Sequence, residues 1–403
     1  MRHEKSRGKH DRRERRTMPK NYAPEELIAQ ARRQTGLERF DAESFGEALE
    51  VYMSDYNRQE RSDEFNQKNA DLIVKALGDR LKIADYLRLR PELEQRPVAR
   101  PVFVFGIPRT GTTLLSNLLA ADPARRSPLT WEIEHPVPPP TTATLTSDPR
   151  CLAQLEEERQ LLEAYPEAGK YYRNSAVYPN ECMFFTIHDM KGMLWEGRGK
   201  LPNYRDWLYG AGTGQMVPHY EYHKRFLQAH QAEAPGVWNL KMPSHGLWLD
   251  SLLKVYPDAR LVWAHRDPLT ATGSFCSLME LSMNTAVGYA DHAWLGENYS
   301  WQAVQHAERI MDHRAQIGHG RIADVHYAEL MRHPIAAMRR LYAALGDEFT
   351  PAAEAGMRAW LADNPQGKFG KHEYKLAKFG ITPEGVRPRF ERYLSEYDIE
   401  PEG

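Results

Sequence analysis

The sequence predicts an α/β fold: a parallel sheet flanked by helices, with a helical N-terminal cap before it and a helical lid inserted within it. Four short runs carry the prediction: PVFVFG (Pro101–Gly106), VWNLK (Val237–Lys241), RLVWAH (Arg260–His265) and RIADVHY (Arg321–Tyr327). They are apolar almost throughout rather than alternating, as strands covered on both faces are. Each is followed by a helical pattern, for instance GLWLDSLLKVYP after the second and ELMRHPIAAMRRLYAALG after the fourth. Strand and helix in alternation indicate parallel crossovers. A Gly-containing loop joins the first run to the apolar helix TTLLSNLLAA.

In chain order, residues 1–20 hold nine Lys/Arg against three Asp/Glu and bury nothing, so they read as a disordered basic tail. Residues 21–100 read as the helical cap. Pro24 with Glu25 and Glu26 suits a first helical turn, where a missing N–H costs nothing and carboxylates meet the positive end of the dipole. Gly36 is the expected stop. Amphipathic runs follow at Phe45–Tyr56 and around Leu72–Ile83, and Pro97 and Pro101 close the cap. The α/β domain then spans residues 101–380, and 381–403 form a C-terminal tail segment. Residues 136–235 lack strand signals, open with HPVPPPTT and are rich in aromatics. An insertion placed after the first strand–helix unit suits a lid, because ligands of such sheets lie beyond the carboxyl ends of the strands.

Composition narrows the function. A chain of 403 residues with 41% hydrophobic and 27% charged residues has the makeup of an ordinary globular protein. Its formal charge of −2 leaves no cation excess for a general nucleic-acid binder. Cys151, Cys182 and Cys276 are widely spaced and form neither a disulfide framework nor a zinc motif. The histidines, His188, His219 and His223 among them, lack metal-ligand spacing and are expected on helix surfaces, so no metal site is expected. No run approaches the ~18 apolar residues of a membrane span. The chain is expected to be reduced, soluble and cytoplasmic.

Gly106-Ile107-Pro108-Arg109-Thr110-Gly111-Thr112-Thr113, between a strand and a helix, has the makeup of an anion cradle. Glycines let the backbone turn and approach an anion, successive N–H groups point inward, and the helix N-terminus adds positive potential. The two threonine hydroxyls add donors, and Arg109 places a cation at the mouth. The spacing approaches that of a nucleotide P-loop, but Thr112 holds the lysine position and no carboxylate has the context that would hold Mg²⁺. A kinase or NTPase is therefore the weaker reading of this P-loop-type segment, with a non-catalytic nucleotide-binding protein as a further alternative.

P-R-T-G-T-T resembles the 5′-phosphosulfate loop of sulfotransferases that use 3′-phosphoadenosine-5′-phosphosulfate (PAPS), in which Lys or Arg precedes [ST]-G-T-T. A second match lies where RLVWAH runs into Arg266-Asp267-Pro268, with Ser274 eight residues after Arg266. In that family an Arg at this strand end and a Ser eight residues on bind the 3′-phosphate. The resemblance covers roughly Pro101 to Gly346. W-E after the first helix, K-x-P-x-H, H-R-D-P and G-K-x-G-x-H-x-Y make it similar to a bacterial branch, distantly like the tyrosylprotein sulfotransferases.

The resemblance implies sulfuryl transfer from PAPS to a hydroxyl or amine, leaving 3′,5′-ADP, with Pro108 to Thr113, Arg266 and Ser274 binding the donor. Glu132 in LTWEIEHP is the expected base, with Glu134, His135 and His245 as rivals. Lys241, which begins K-M-P-S-H, is expected to stabilise the transferring group together with Arg109. Lys368 and Lys371, in QGKFGKHEYKLAKFG, are expected over the 3′-phosphate. Leu114 stands where cytosolic relatives carry a tryptophan against adenine, so stacking falls to Trp131 or an aromatic of the insertion. That insertion's aromatics suit a small-molecule, glycan or lipid-like acceptor.

Overall fold

The computed structural model describes residues 22–165, 175–365 and 375–402. The basic run 1–20, Lys368 and Lys371 lie outside them. Five strands, β1 (Val102–Gly106), β2 (Arg125–Arg126), β3 (Val237–Lys241), β4 (Arg260–His265) and β5 (Ile322–His326), form one sheet in the order β2-β3-β1-β4-β5. Every pairing is parallel. Four strands are the apolar runs of the sequence. The fifth, β2, is a two-residue edge strand of arginines and carries no strand signal.

β1 lies at the centre and is buried along its whole length. Its alternation feeds two cores. Phe103 and Phe105 face one in which Leu27, Leu77, Trp195, Tyr204, Phe226 and Trp263 also lie. Val102 and Val104 face another with Leu115, Leu118, Val262, Met338 and Leu341, covered by the helices Thr112–Ala120, Pro334–Leu345 and Pro351–Asp363.

The chain leaves β1 through the helix Thr112–Ala120 toward β2, and leaves β4 through Pro268–Val287 and His292–Ile317 toward β5. These connections diverge from neighbouring strands. A crevice therefore opens beyond the carboxyl ends of β1 and β4, the usual ligand position in an open α/β sheet.

Before β1 come the helices Pro24–Thr35, Gly46–Tyr56 and Asp63–Arg88. Gly36 ends the first in the left-handed conformation, and the Ser62 hydroxyl caps the third by accepting from Phe65 N–H. Their apolar faces enter the same core as Phe103 and Trp263.

Much of the segment 136–235, expected as a helical lid, packs into the core. Trp195, Tyr204, Tyr220 and Phe226 are wholly buried in the larger core, because a stretch so rich in aromatics gains more from burial than from standing over a cleft. Its helix Pro149–Ala164 stays largely outside, burying Cys151 and Glu158.

An ionic cluster locks the N-terminal helices to this segment. Arg80, fully buried, donates to Asp41 at 2.8 Å, Asp189 at 2.6 Å and the Ala42 carbonyl at 2.8 Å. Lys191 reaches Asp189 at 2.8 Å, and His219 Nδ1 lies 3.3 Å from it. Burial alone would raise the Asp189 carboxyl, but Lys191 and Arg80 outweigh it and hold the group far below the usual carboxylate range.

His188, His219 and His223 also depart from expectation: they are buried, not surface residues. Each finds a side-chain partner inside, Tyr222, Asp189 and Tyr256 respectively.

Candidate active site

Local conformation shapes the loop after β1. Gly106 and Gly111 have φ of 154° and 87°. A Cβ on Gly106 would lie 2.6 Å from the Ala264 carbonyl oxygen, and one on Gly111 would lie 2.5 Å from the Tyr327 ring. Both positions require glycine on conformation and space together. Thr110 Oγ1 donates to the Ile107 carbonyl at 2.8 Å and closes the turn, so this hydroxyl serves the loop itself. Arg109, a non-glycine residue, is held at φ 75°, the kind of strain that persists where surrounding structure enforces it.

That conformation sends Arg109 across the crevice. Its Nε donates to Ser274 Oγ at 3.0 Å, while its carbonyl accepts from Arg266 Nη1 at 3.0 Å. Arg266 follows directly on β4, over the Tyr327 ring at 4.2 Å. Ser274 lies on the helix Pro268–Val287, whose N-cap is Asp267, accepting from Leu269 and Thr270 N–H. Two sites expected from separate stretches of sequence thus meet across the β1–β4 crevice. The Arg266 guanidinium also engages Glu402, with Nε 2.9 Å and Nη2 2.8 Å from its carboxylate oxygens.

On the other flank, Lys241 ends β3. Its ammonium contacts the Glu181 carboxylate and lies 3.4 Å from Thr113 Oγ1 in the first turn after the loop. Glu181 belongs to the inserted segment and was not singled out by the sequence reasoning. Backbone bonds pin it there: Asn180 N–H donates to the Pro128 carbonyl and Cys182 N–H to the Lys241 carbonyl, each at 2.9 Å. Its Oε2 is buried and lacks a hydrogen-bond partner among the described residues.

Glu132 occupies a different environment. It is 1% exposed; Arg126 Nη1 donates to Oε2 at 3.0 Å, Nη2 donates to Oε1, and Leu129 N–H also reaches Oε2 at 3.0 Å. Both oxygens are engaged, Oε1 by Arg126 and Oε2 by Arg126 together with the N-cap N–H of the helix Thr130–Glu134. Glu134 pairs with Lys75 at 3.3 Å. The Trp131 ring is fully buried and its indole donates to the Leu145 carbonyl at 2.9 Å, so it offers no free face to an adenine.

His245 lies in the core. Its Nδ1 is 3.1 Å from Tyr220 Oη, and its ring meets Phe103 edge-on at 4.9 Å. Burial holds its imidazole well below the usual histidine range. Cys182, His223 and His245 each bring a ligand-type atom within 4.8 Å of one another, a convergence their positions along the chain do not announce. Burial raises the thiol and lowers both imidazoles, which leaves the group neutral.

Residues 101–351 match the sequence model of the Sulfotransferase family. The chain belongs to the sulfotransferase family. Among solved structures, this sulfotransferase is similar to STF9 from Mycobacterium avium, at 40% identity and a TM-score of 0.88, covering 96% of this chain and 99% of that one. It is also similar to STF1 from Mycobacterium tuberculosis H37Rv, at 29% identity and a TM-score of 0.81, covering 92% and 99%. A more distant relative is the omega-hydroxy-beta-dihydromenaquinone-9 sulfotransferase Stf3 of Mycobacterium tuberculosis, 23% identical over 306 residues, which are 73% of this chain and 74% of that protein. Among the described residues of the sulfotransferase, no helix is long and apolar enough to cross a membrane.

Proposed function

We propose that this sulfotransferase moves the sulfuryl group of PAPS to a hydroxyl, or an amine, by in-line displacement and releases 3′,5′-ADP. The observation that carries the reading is Arg109, whose side chain and carbonyl join Ser274 and Arg266 beside the glycine loop. The 5′-phosphosulfate would rest on Pro108, Arg109, Thr110, Gly111, Thr112 and Thr113, at the N-terminus of the helix Thr112–Ala120. Arg266 and Ser274 would hold the 3′-phosphate. Lys368 joins them on the family resemblance alone.

The proposed base is Glu181, in place of the expected Glu132. The acceptor O–H gives its proton to Glu181 Oε2 as its oxygen bonds to sulfur and the bond from sulfur to the 5′-phosphate oxygen breaks. Lys241 and Arg109 offset the charge that builds on the leaving phosphate. This chemistry is mainly positioning and electrostatics, as in phosphoryl transfer. Glu181 is favoured because it touches Lys241 and has an oxygen free to accept, whereas both oxygens of Glu132 are engaged. A lipid-like or glycan alcohol is the proposed acceptor class, in keeping with the menaquinone-derived compound in the name of one relative.

Transfer of ³⁵S from labelled PAPS into a cell extract tests the assignment. Glu181→Gln should lower turnover by about 10²–10⁴-fold, with Glu132→Gln retaining most of it in folded protein. The reverse pattern returns the role to Glu132. Calorimetry should show micromolar binding of 3′,5′-ADP, lost in Arg266→Ala. Tight ATP·Mg²⁺ binding with indifference to 3′,5′-ADP would overturn the donor.

A further inference from the structure

Arg266 does not face the crevice as a free cation: a carboxylate of the same chain is seated on its guanidinium. Nε approaches both oxygens of Glu402, at 2.9 and 3.1 Å, and Nη2 donates to Oε2 at 2.8 Å. Two-pronged pairing of this kind is how guanidinium groups bind carboxylate and phosphate alike.

The backbone around Glu402 is held as well. Its N–H donates to Asp267 Oδ2 at 3.2 Å and its carbonyl accepts from Thr270 Oγ1 at 3.3 Å. The preceding segment is anchored in the core through Phe390, Tyr393 and Ile399, with Tyr393 Oη 3.1 Å from His265 Nδ1. A short run of chain from this anchor therefore delivers the carboxylate to Arg266. The pair itself stays open to water, with side-chain exposures of 18% for Arg266 and 34% for Glu402. A pair that water still reaches is worth less than one fully enclosed, and a stronger anion can replace its carboxylate.

We propose that Glu402 is a built-in occupant of the 3′-phosphate position, a tethered carboxylate that the donor displaces and that re-docks as 3′,5′-ADP leaves. The proposal rests on the reading of Arg266 and Ser274 as the 3′-phosphate site. A tethered competitor leaves the binding-competent fraction reduced, and apparent affinity falls by that fraction. A docked share of roughly 0.7–0.9 raises the apparent Kd about 3–10-fold. The effect is confined to nucleotides that carry a 3′-phosphate, since only these compete for Arg266. Re-docking also gives the bound product a competitor at the moment of release, so Glu402 is a regulator of the site and takes no part in the chemistry.

Calorimetry on the full chain tests this with two probes, 3′,5′-ADP and 5′-AMP, which lacks the 3′-phosphate. Glu402→Gln and Glu402→Ala should each bind 3′,5′-ADP about 3–10-fold more tightly than the unaltered protein and leave 5′-AMP unchanged. An unchanged or weaker Kd for 3′,5′-ADP overturns the proposal. An equal gain for 5′-AMP overturns it too, since the segment would then obstruct the cleft generally. If neither the unaltered protein nor the variants bind 3′,5′-ADP, the donor assignment itself fails, a result distinct from binding that Glu402 does not alter.

Discussion

Arg80 and Arg266 both grip carboxylates, yet one is fully buried and the other only partly so. Arg80 and Asp189 are 0% exposed and Asp41 is 4% exposed, whereas the Arg266–Glu402 pair faces water. The first cluster joins elements distant in sequence and is satisfied from every side, with Ser44, Ala42, Lys191 and His219 completing it. The second joins a strand end to a terminal segment across an open crevice. The same guanidinium chemistry makes a permanent lock where water is excluded and, in the function proposed above, an exchangeable anion site where water still reaches. Removing one partner of a buried pair strands a charge; removing one partner of an open pair leaves a hydrated one.

The largest test of this contrast is Arg80→Ala, which takes from Asp41 its nearest cation and from Asp189 one of the two that face it. It should cost about 3–5 kcal/mol in urea unfolding, and a loss below about 1 kcal/mol would erase the distinction.

Glu196 sharpens it from another side. This buried carboxyl has Asn298 Nδ2 at 2.8 Å and Tyr299 Oη at 3.1 Å as partners, in place of the cations around Asp189. Burial pushes its pKa up to about 7. A folded-state pKa above the unfolded value means a contribution fully present below about pH 4.5 and lost as pH rises through about 7. Glu196→Gln should therefore be the more stable form at pH 8, relative to the parent, by ~1–3 kcal/mol, with the difference fading toward pH 4. Comparing the two proteins cancels the opposing contribution of His265, which burial lowers to about 4. Parallel melts across pH 4–8 read this directly.

The smallest stability effect is expected at the open pair. Arg266→Ala should shift unfolding by less than about 1 kcal/mol while abolishing micromolar 3′,5′-ADP binding. A large stability loss in that variant would place Arg266 with the structural arginines.

Much of the fold was legible in the sequence. The apolar runs at 102–106, 237–241 and 260–265 announce buried parallel strands because both faces of such strands must be apolar, while 322–326, at the sheet edge, is only partly buried. The loop after β1 was legible as a tight turn between strand and helix, which Gly106 and Gly111 make possible. β2 escaped because two arginines pair at a sheet edge through their backbone, which no side-chain pattern reports. The histidines at 188, 219 and 223 read as surface residues because the partner of each lies 30 or more residues away along the chain. Only folding brings Tyr222, Asp189 and Tyr256 to them.

The contrast between Glu132 and Glu181 marks the boundary. Local sequence determined that a strand, a glycine-dependent loop and a helix follow one another, and that cations stand at the ends of three strands, since these depend on backbone conformation and residue type at short range. Tertiary structure decided which carboxylates accompany those cations. Arg126 neutralises and engages Glu132, the inserted segment carries Glu181 to Lys241, and a distant stretch sets Glu402 on Arg266. A carboxylate's availability depends on what else can reach its oxygens, and that is settled by contacts between residues far apart in the chain.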